Sequence, residues 1–600
     1  MKKFLAVIVA ALLVSAAVWV ILRVQLANQL AAVPEFLPPT TLLLLHAPDF
    51  KHTQKRWHES DLYQIWHEPA VQAWLEQPLS RLPQSGRGGK IVEEFLQLGP
   101  KHGFVALTSL EKNEPKVLAG FHFEGGPEGA KDFMARREAE WLPKSTAAKR
   151  ETIVYEQHKI ETVNVPHLFL ASVYSNHWFF ISNDIAALKA LLDRADHRQE
   201  KAEKSLQVDA SFRSATKHLP AEYAAMIFVD PRPFVEKLAP LIALTGQSLP
   251  INQLQRLQRV QSLAAAIGFD HGKMRETDFV AMPRAGAEKK LVRPLLAAAG
   301  ADTFFYSASQ LHWSENVLSP SAPAAAGLPA FVQQFSAALN ARGISPVDLR
   351  QAFGEELEIT GDWGAGAPWP ALLATIAVTD ATRARKIADA LTSVEIAGAP
   401  WTKSERNGAT FYSAEPFGGF VPLHPAIVIS DKMAFIGSDA ATVEGAMTRV
   451  AQPGGELEKS EPFRDAVARV PAPGSAFNYV DARLLFERAD AAIRPIALMG
   501  ATFYPALGKS IDLKKFPPPE TIAKHLSPIV MSQRYEGDGY VTESVGPVTF
   551  REATIGLAGA IGGLFIYLQE GLKAGGLVPA AAPPSPVPVM PSPAPTATPF

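Results

Sequence analysis

Two stretches of this chain resemble each other in register, and this similarity limits the possible fold more than any other feature. The first begins at Trp178 (WFFISNDIAALKALLDRA) and the second at Met433 (MAFIGSDAATVEGAMTRV). The offset stays constant apart from one short gap, and the matched pairs are Phe180-Ile181 with Phe435-Ile436, Asp184 with Asp439, Phe212-Arg213 with Phe463-Arg464, and Val229-Asp230 with Val480-Asp481. The chain therefore uses one arrangement of elements twice.

The matched residues predict local structure. Asp184 is typical of a helix cap, and Ile185, Leu188 and Leu192 follow with helical spacing. A short helix around Phe212 comes next, and alternating segments elsewhere are typical of antiparallel strands. We expect an α+β fold: an N-terminal transmembrane helix followed by two tandem homologous modules, each an antiparallel sheet with packed helices.

Five segments follow from this interpretation. Residues 1–33 form a signal anchor, 34–294 the first module and 295–546 the second module. Residues 547–575 are an apolar, glycine-rich segment and a possible second membrane span, and 576–600 are a proline-rich disordered tail.

The N-terminal anchor is predicted from an apolar run between charges. Lys2 and Lys3 precede Phe4–Leu22, and Arg23 follows it. At 1.5 Å per helical residue the run spans roughly 28 Å, close to the ~30 Å of a bilayer core. A cleaved signal peptide is the alternative, but its apolar region is typically about 7–15 residues long. We expect an uncleaved anchor with the N-terminus in the cytoplasm.

The second apolar run, residues 553–568, is slightly short for a membrane span. Gly559 and Gly563 have the spacing that lets membrane helices approach closely. A buried glycine-rich helix and an interfacial helix remain alternatives.

Composition excludes several classes of function. The chain has 58 basic and 60 acidic side chains, so it lacks the basic excess typical of nucleic-acid-binding proteins. It has no cysteine, which excludes disulfides, thiol catalysis and cysteine-ligated metals. From the charge balance we expect no nucleic-acid partner.

Short motifs suggest enzymes without completing them. Ser214 and Lys217 have the S-x-x-K spacing of penicillin-binding serine enzymes, but the companion motifs of that family are missing. Gly508-Lys509-Ser510 and Gly89-Lys90 lack the first glycine of a phosphate loop. We interpret Ser214 and Lys217 as residues of a surface helix.

Histidines and carboxylates are the remaining candidates. His52, His58 and His67 lack the spacing of a helical zinc site, and Leu62, Trp66 and Trp74 predict the buried stripe of an amphipathic helix instead. Another candidate group, the paired carboxylates of a glycoside hydrolase, comprises Glu355, Glu356, Glu358 and Asp362. Their alternation with Leu357 and Ile359 favours a strand with one wet face. We predict no catalytic, metal or cofactor-binding residue.

Several features together resemble a family of bacterial membrane-anchored envelope proteins of unknown function. They are the N-terminal anchor, the start Leu37-Pro38-Pro39-Thr40-Thr41-Leu42, the tryptophan-bearing segment from Trp57 to Trp74, and the two Pro…Val-Asp repeats, Pro220 to Asp230 and Pro471 to Asp481. The resemblance implies a membrane-tethered, duplicated module. With the orientation predicted for the anchor, we expect the protein in the bacterial inner membrane with most of the chain in the periplasm. The resemblance implies no activity.

We therefore expect a non-enzymatic scaffold, assembly or binding module on the periplasmic side. Its partners would be the membrane and an unknown envelope protein or lipid ligand. The alternative is an envelope hydrolase whose site is not visible as a linear motif.

Overall fold

The computed structural model describes most of the chain between residues 33 and 556. The described ranges are 33–81, 94–111, 114–123, 127–141, 149–165, 168–196, 205–236, 258–284, 290–311, 337–394, 400–416, 424–451, 455–503 and 515–556. All but the last residue of the predicted anchor lies outside these ranges, as do the proline-rich tail, Gly89-Lys90, Gly508-Lys509-Ser510 and residues 557–568.

Within the described ranges, twenty β-strands make up the main framework. In chain order they are β1 Leu43–Ala47, β2 Pro100–Glu111, β3 Glu114–Phe123, β4 Lys149–Tyr155, β5 His158–Val165, β6 Leu168–Ser175, β7 Trp178–Ser182, β8 Ala225–Val229, β9 Ser262–Asp270, β10 Lys273–Ala281, β11 Thr303–Gln310, β12 Phe353–Asp362, β13 Ala371–Val378, β14 Trp401–Arg406, β15 Ala409–Ala414, β16 Ala426–Ile429, β17 Met433–Gly437, β18 Ala476–Val480, β19 Ile529–Glu536 and β20 Gly539–Gly546.

Helices are interspersed with the strands. They are α1 Val33–Phe36, α2 Phe50–His58, α3 Asp61–His67, α4 Pro69–Arg81, α5 Pro127–Trp141, α6 Ile185–Ala195, α7 Ala210–Thr216, α8 Pro346–Ala352, α9 Ala381–Leu391, α10 Ala440–Ala451, α11 Glu456–Lys459, α12 Glu461–Val467, α13 Ala482–Phe503 and α14 Pro519–Ala523. A further helix covers 550–556.

All twenty strands belong to one antiparallel sheet. Its order from one edge to the other is β4-β5-β6-β7-β3-β2-β1-β8-β9-β10-β20-β19-β18-β11-β12-β13-β17-β16-β15-β14. The order of pairing on one side of β10–β20 recurs on the other side.

The predicted fold class is wrong in giving each module a sheet of its own. β10 pairs with β20 along the whole of β20, from Met274 with Gly546 to Ala281 with Gly539, and this pairing joins the two halves into one sheet. Alternation along the sequence identifies a strand, but it does not show which strand pairs with an exposed edge.

The membrane part of that prediction is not supported either. Within the described ranges, no helix combines the length and the apolar character needed to cross a bilayer. The predicted N-terminal transmembrane helix falls almost wholly on residues 1–32, outside those ranges. The five segment boundaries stay predictions.

Several local predictions are confirmed. Asp184 caps α6 by accepting a hydrogen bond from the backbone N–H of Ala186 at 2.9 Å. Leu188 and Leu192 of α6 are completely buried. A short helix, α7, contains Phe212, and β8 ends at Val229.

One face of the sheet carries most of the core, and we call it the helix-covered face. In the first half, α6 and α7 pack on it over side chains such as Leu44, Phe104 and Phe228. In the second half, α10 and α12 pack on the same face over Tyr306 and Phe477. On the opposite face, α8 and α9 form a smaller core against β15 to β17.

Charged residues reinforce the junction between β10 and β20. Asp538 accepts hydrogen bonds from Ser214 and from Lys217, the latter at 3.0 Å. Although burial opposes the shift, these donors and His218 hold the pKa of Asp538 at about 2. On the same junction, Arg551 of helix 550–556 forms ion pairs with Glu276 and Asp278.

Candidate functional site

A cavity of about 510 Å³ lies on the helix-covered face of the first half. We call it the Tyr223 cavity. Its walls come from α1, from the ends of β1, β2 and β7, and from α7 with the loop that follows it. The lining residues are Val33, Pro34, His46, Pro48, His102, Trp178, Gln207, Phe212, Thr216, Leu219, Pro220, Ala221, Tyr223 and Met226. Its volume is within the ~300–1,000 Å³ typical of small-molecule sites.

His46 and Tyr223 form a polar pair in this cavity. His46 Nδ1 lies 2.9 Å from the Tyr223 hydroxyl oxygen. Burial, with a smaller contribution from His102, lowers the pKa of His46 to about 4. Burial also raises the pKa of Tyr223 to about 12. Both groups are therefore neutral at pH 7.

Trp178 supplies a hydrogen-bond donor that the protein does not use. Its side chain is 3% exposed, and its indole N–H has no hydrogen-bond partner among the described residues. The ring is held firmly, because it stacks on Phe180 at 5.4 Å and meets Phe36 edge-on at 5.5 Å. A buried donor without a partner costs roughly 1–3 kcal/mol, so an acceptor that reaches this N–H regains that energy.

A second cavity of about 320 Å³ adjoins the first, and both share Pro48, Ala221 and Tyr223 in their walls. We call it the Arg56 cavity. Its remaining walls include charged and titratable side chains of α2 and the neighbouring loops, namely Asp49, His52, Arg56 and Glu222. A largely apolar space therefore lies next to a charged one.

This arrangement favours binding over catalysis. Among the described residues, the lining of the Tyr223 cavity includes no carboxylate, lysine or arginine. A general base near neutral pH needs a pKa close to 7, and the pKa of His46 is far lower. The group facing His46 is a phenol whose own pKa is raised, so it is not an activated nucleophile.

Ser214 and Lys217 lie away from the Tyr223 cavity. They share Asp538 at the β10–β20 junction. Lys217 is 52% exposed at the end of α7, which agrees with the predicted surface helix. Through these hydrogen bonds to Asp538, Ser214 and Lys217 connect the first half of the sheet to the second half.

The three histidines of the α2–α3 region do not converge on one point. His58 and His67 both pack on Tyr63. The ring centroid of Tyr63 lies 4.6 Å from that of His58 and 3.7 Å from that of His67. Among the described residues, no cluster of three or more metal-ligating side chains is present. The predicted buried stripe is wrong at Trp66, which is 43% exposed because the segment breaks into three short helices.

The predicted carboxylate strand exists, but its wet face was assigned to the wrong side. Glu358 is only 2% exposed, whereas Leu357 and Ile359 are half-buried on the opposite face. Glu358 is held by the Tyr306 hydroxyl at 2.6 Å and the Leu295 N–H at 3.1 Å. Burial raises its pKa to about 7.

The residues of the Tyr223 cavity were not predicted as a site from the sequence. His46, His102, Trp178 and Tyr223 are far apart in the chain and belong to no motif. Trp178 lies in the repeated stretch, opposite Met433 in the alignment. This replacement of tryptophan by methionine between the two copies was the sequence signal that could have indicated the cavity.

No family model and no curated protein sequence matches this chain. Three crystal forms of TP0453 match at TM-scores of 0.24, 0.23 and 0.23, with identities of 10%, 8% and 9%. The matches cover 43%, 43% and 41% of this chain and 83%, 82% and 80% of TP0453. Similarity this low carries no conclusion about fold or function, and the resemblance to envelope proteins stays a prediction.

Proposed function

We propose that this protein is a non-enzymatic binding module whose Tyr223 cavity holds the apolar part of an amphipathic ligand. The ligand would place a hydrogen-bond acceptor against the Trp178 indole N–H. The observation that carries this proposal is that donor, which is buried and lacks a partner at the wall of a largely apolar cavity.

The charges around the site support an amphipathic ligand. The walls of the Tyr223 cavity are neutral at pH 7, so they favour an uncharged, apolar group. The adjoining Arg56 cavity carries both signs of charge and suits a polar head group. A ligand that passes Tyr223 contacts both environments.

The alternative function, an envelope hydrolase, needs a nucleophile within hydrogen-bond reach of a base. In the Tyr223 cavity, His46 faces a phenol. A binding function, by contrast, needs no such catalytic pair in this cavity. The envelope location stays a prediction from the sequence.

The test is a binding assay with the full chain and 11-(dansylamino)undecanoic acid, a fluorescent acyl probe. We expect saturable binding that Trp178→Phe weakens, because phenylalanine fills much of the ring space but cannot donate a hydrogen bond. One good hydrogen bond contributes about 0.5–1.5 kcal/mol, so affinity should fall roughly three- to tenfold.

Trp363→Phe is the matched control. Trp363 is also buried, but its indole N–H donates to the Ala367 carbonyl at 2.9 Å, in the other half of the sheet. This variant should bind the probe like the original protein. Absence of probe binding, or equal weakening by both variants, would contradict the proposal.

A further inference from the structure

A different cavity, of about 280 Å³, lies on the helix-covered face of the second half. We call it the Glu358 cavity. It occupies the ends of β11, β12, β13 and β17, which are the counterparts of β1, β2, β3 and β7 in the recurring strand order. Its chemistry differs from that of the Tyr223 cavity, because its walls include Glu355, Glu356 and Glu358.

The carboxylates of this cavity are fixed in position. Glu356 accepts hydrogen bonds from the backbone N–H groups of Val292 and Arg293, both at 2.7 Å. Glu358 accepts from Leu295 and Tyr306. These contacts hold the segment before β11, but a carboxylate has about four acceptor positions, so capacity remains for further donors.

Thr375 provides an independent indication of a ligand. It lies directly opposite Glu358 in the β12–β13 register and also lines the cavity. The residue is 2% exposed, and its hydroxyl has no hydrogen-bond partner among the described residues. A buried hydroxyl without a partner is costly, and a donor or acceptor entering the cavity removes that cost.

We propose that the Glu358 cavity binds a small organic cation, a primary ammonium group carried on a short apolar chain. The ammonium group would donate hydrogen bonds to the carboxylates and to the Thr375 hydroxyl. Ala377 and Met433 provide apolar surface for the chain. Lys290 also lines the cavity, and its positive charge opposes the bound ammonium group, so the attraction of the carboxylates has to exceed this repulsion.

The ionisation of Glu358 makes the proposal sensitive to pH. Glu356, Arg293 and Lys290 are charged groups close to this site. Burial, with a smaller contribution from Glu356, raises the pKa of Glu358 to about 7. A cation prefers the ionised carboxylate, whose population rises about tenfold between pH 6 and pH 8 if the pKa is 7. An alkylammonium probe stays protonated throughout this range, as a lysine side chain does.

The experiment is a calorimetric titration of the full chain with n-butylammonium chloride, and with n-butanol as the uncharged probe of similar shape. It should be run at about 0.15 M ionic strength, where non-specific attraction between exposed charges is largely screened. We expect saturable binding of the cation, about tenfold tighter at pH 8 than at pH 6, and no comparable binding of the alcohol.

Thr375→Val tests the site without threatening the fold, because it removes a hydroxyl that has no partner. It should weaken butylammonium binding at least threefold while the unfolding temperature stays the same or rises. Thr410→Val is the control: Thr410 is also buried, but its hydroxyl donates to Glu405 at 2.8 Å. It should lower the unfolding temperature and leave binding unchanged.

Three results would overturn the proposal: no butylammonium binding at pH 8, equal binding of butanol, or binding unaffected by both Thr375→Val and Glu358→Gln. Because this cavity is separate from the Tyr223 cavity, none of these results depends on the acyl-probe assay.

Discussion

Replacing Glu358 by Gln should make the protein more stable at pH 8 and remove part of its pH dependence. A glutamine carbonyl oxygen can still accept hydrogen bonds from Leu295 and Tyr306, which hold the carboxyl group in the folded protein. The glutamine side chain, however, carries no negative charge at a position where the glutamate is only 2% exposed.

The size of the effect follows from linkage. Burial raises the pKa of Glu358 from 4.5 to about 7 in the folded state. Between these values the folded protein holds a proton that the unfolded chain has lost, so stability falls as pH rises and levels off above pH 7. At 1.36 kcal/mol per pKa unit, the loss between pH 5 and pH 8 is about 2–3 kcal/mol.

Urea unfolding at pH 5 and pH 8 measures this loss for the original protein and for Glu358→Gln. Asp278 contributes in the same direction, because burial, and then Glu276, raises its pKa to about 7. Four strands lie between β10, which carries Asp278, and β12, which carries Glu358, so the contribution of Asp278 should be the same in both proteins and should cancel in the comparison. An equal loss of stability in both proteins would refute the reasoning.

Three further predictions concern the fold and its junction. Asp184→Ala should lower the free energy of unfolding by about 1 kcal/mol, because it removes the cap of α6; Asp184→Asn should largely restore it, as denaturant titration would show. Because the pKa of Asp538 is low in the folded state, the original protein should lose stability as pH falls from about 4 towards 2. Asp538→Asn should abolish this part of the acid-induced destabilisation. Gly539→Ala should separate β10 from β20, because an added methyl group would overlap the Val280 carbonyl; hydrogen exchange should then accelerate in β20 but not in β5.

Local structure was predictable from the sequence wherever short-range chemistry determines it. The cap at Asp184, the buried stripe of α6 and the strand ending at Val229 follow from neighbouring residues. The pairing of β10 with β20 was not predictable, because backbone hydrogen bonds between edge strands leave little trace in side-chain patterns.

The candidate sites were harder to predict for a related reason. The alternation of Glu356 and Glu358 with Leu357 and Ile359 identified β12 as a strand, but hydrophobicity assigned the wrong face to the core. The hydrogen bonds that compensate Glu358 come from Tyr306 and Leu295, more than fifty residues away. Likewise, Trp178 and Tyr223 meet only through the folded sheet.

The indole proton of Trp178 gives the most direct test of ligand binding in the Tyr223 cavity. In a protein labelled with ¹⁵N-tryptophan, saturating 11-(dansylamino)undecanoic acid should shift the Trp178 indole resonance downfield, as expected for a newly formed hydrogen bond. The Trp363 resonance should not move, because that N–H already donates to Ala367. A probe that binds while the Trp178 resonance stays unchanged would contradict the proposed site.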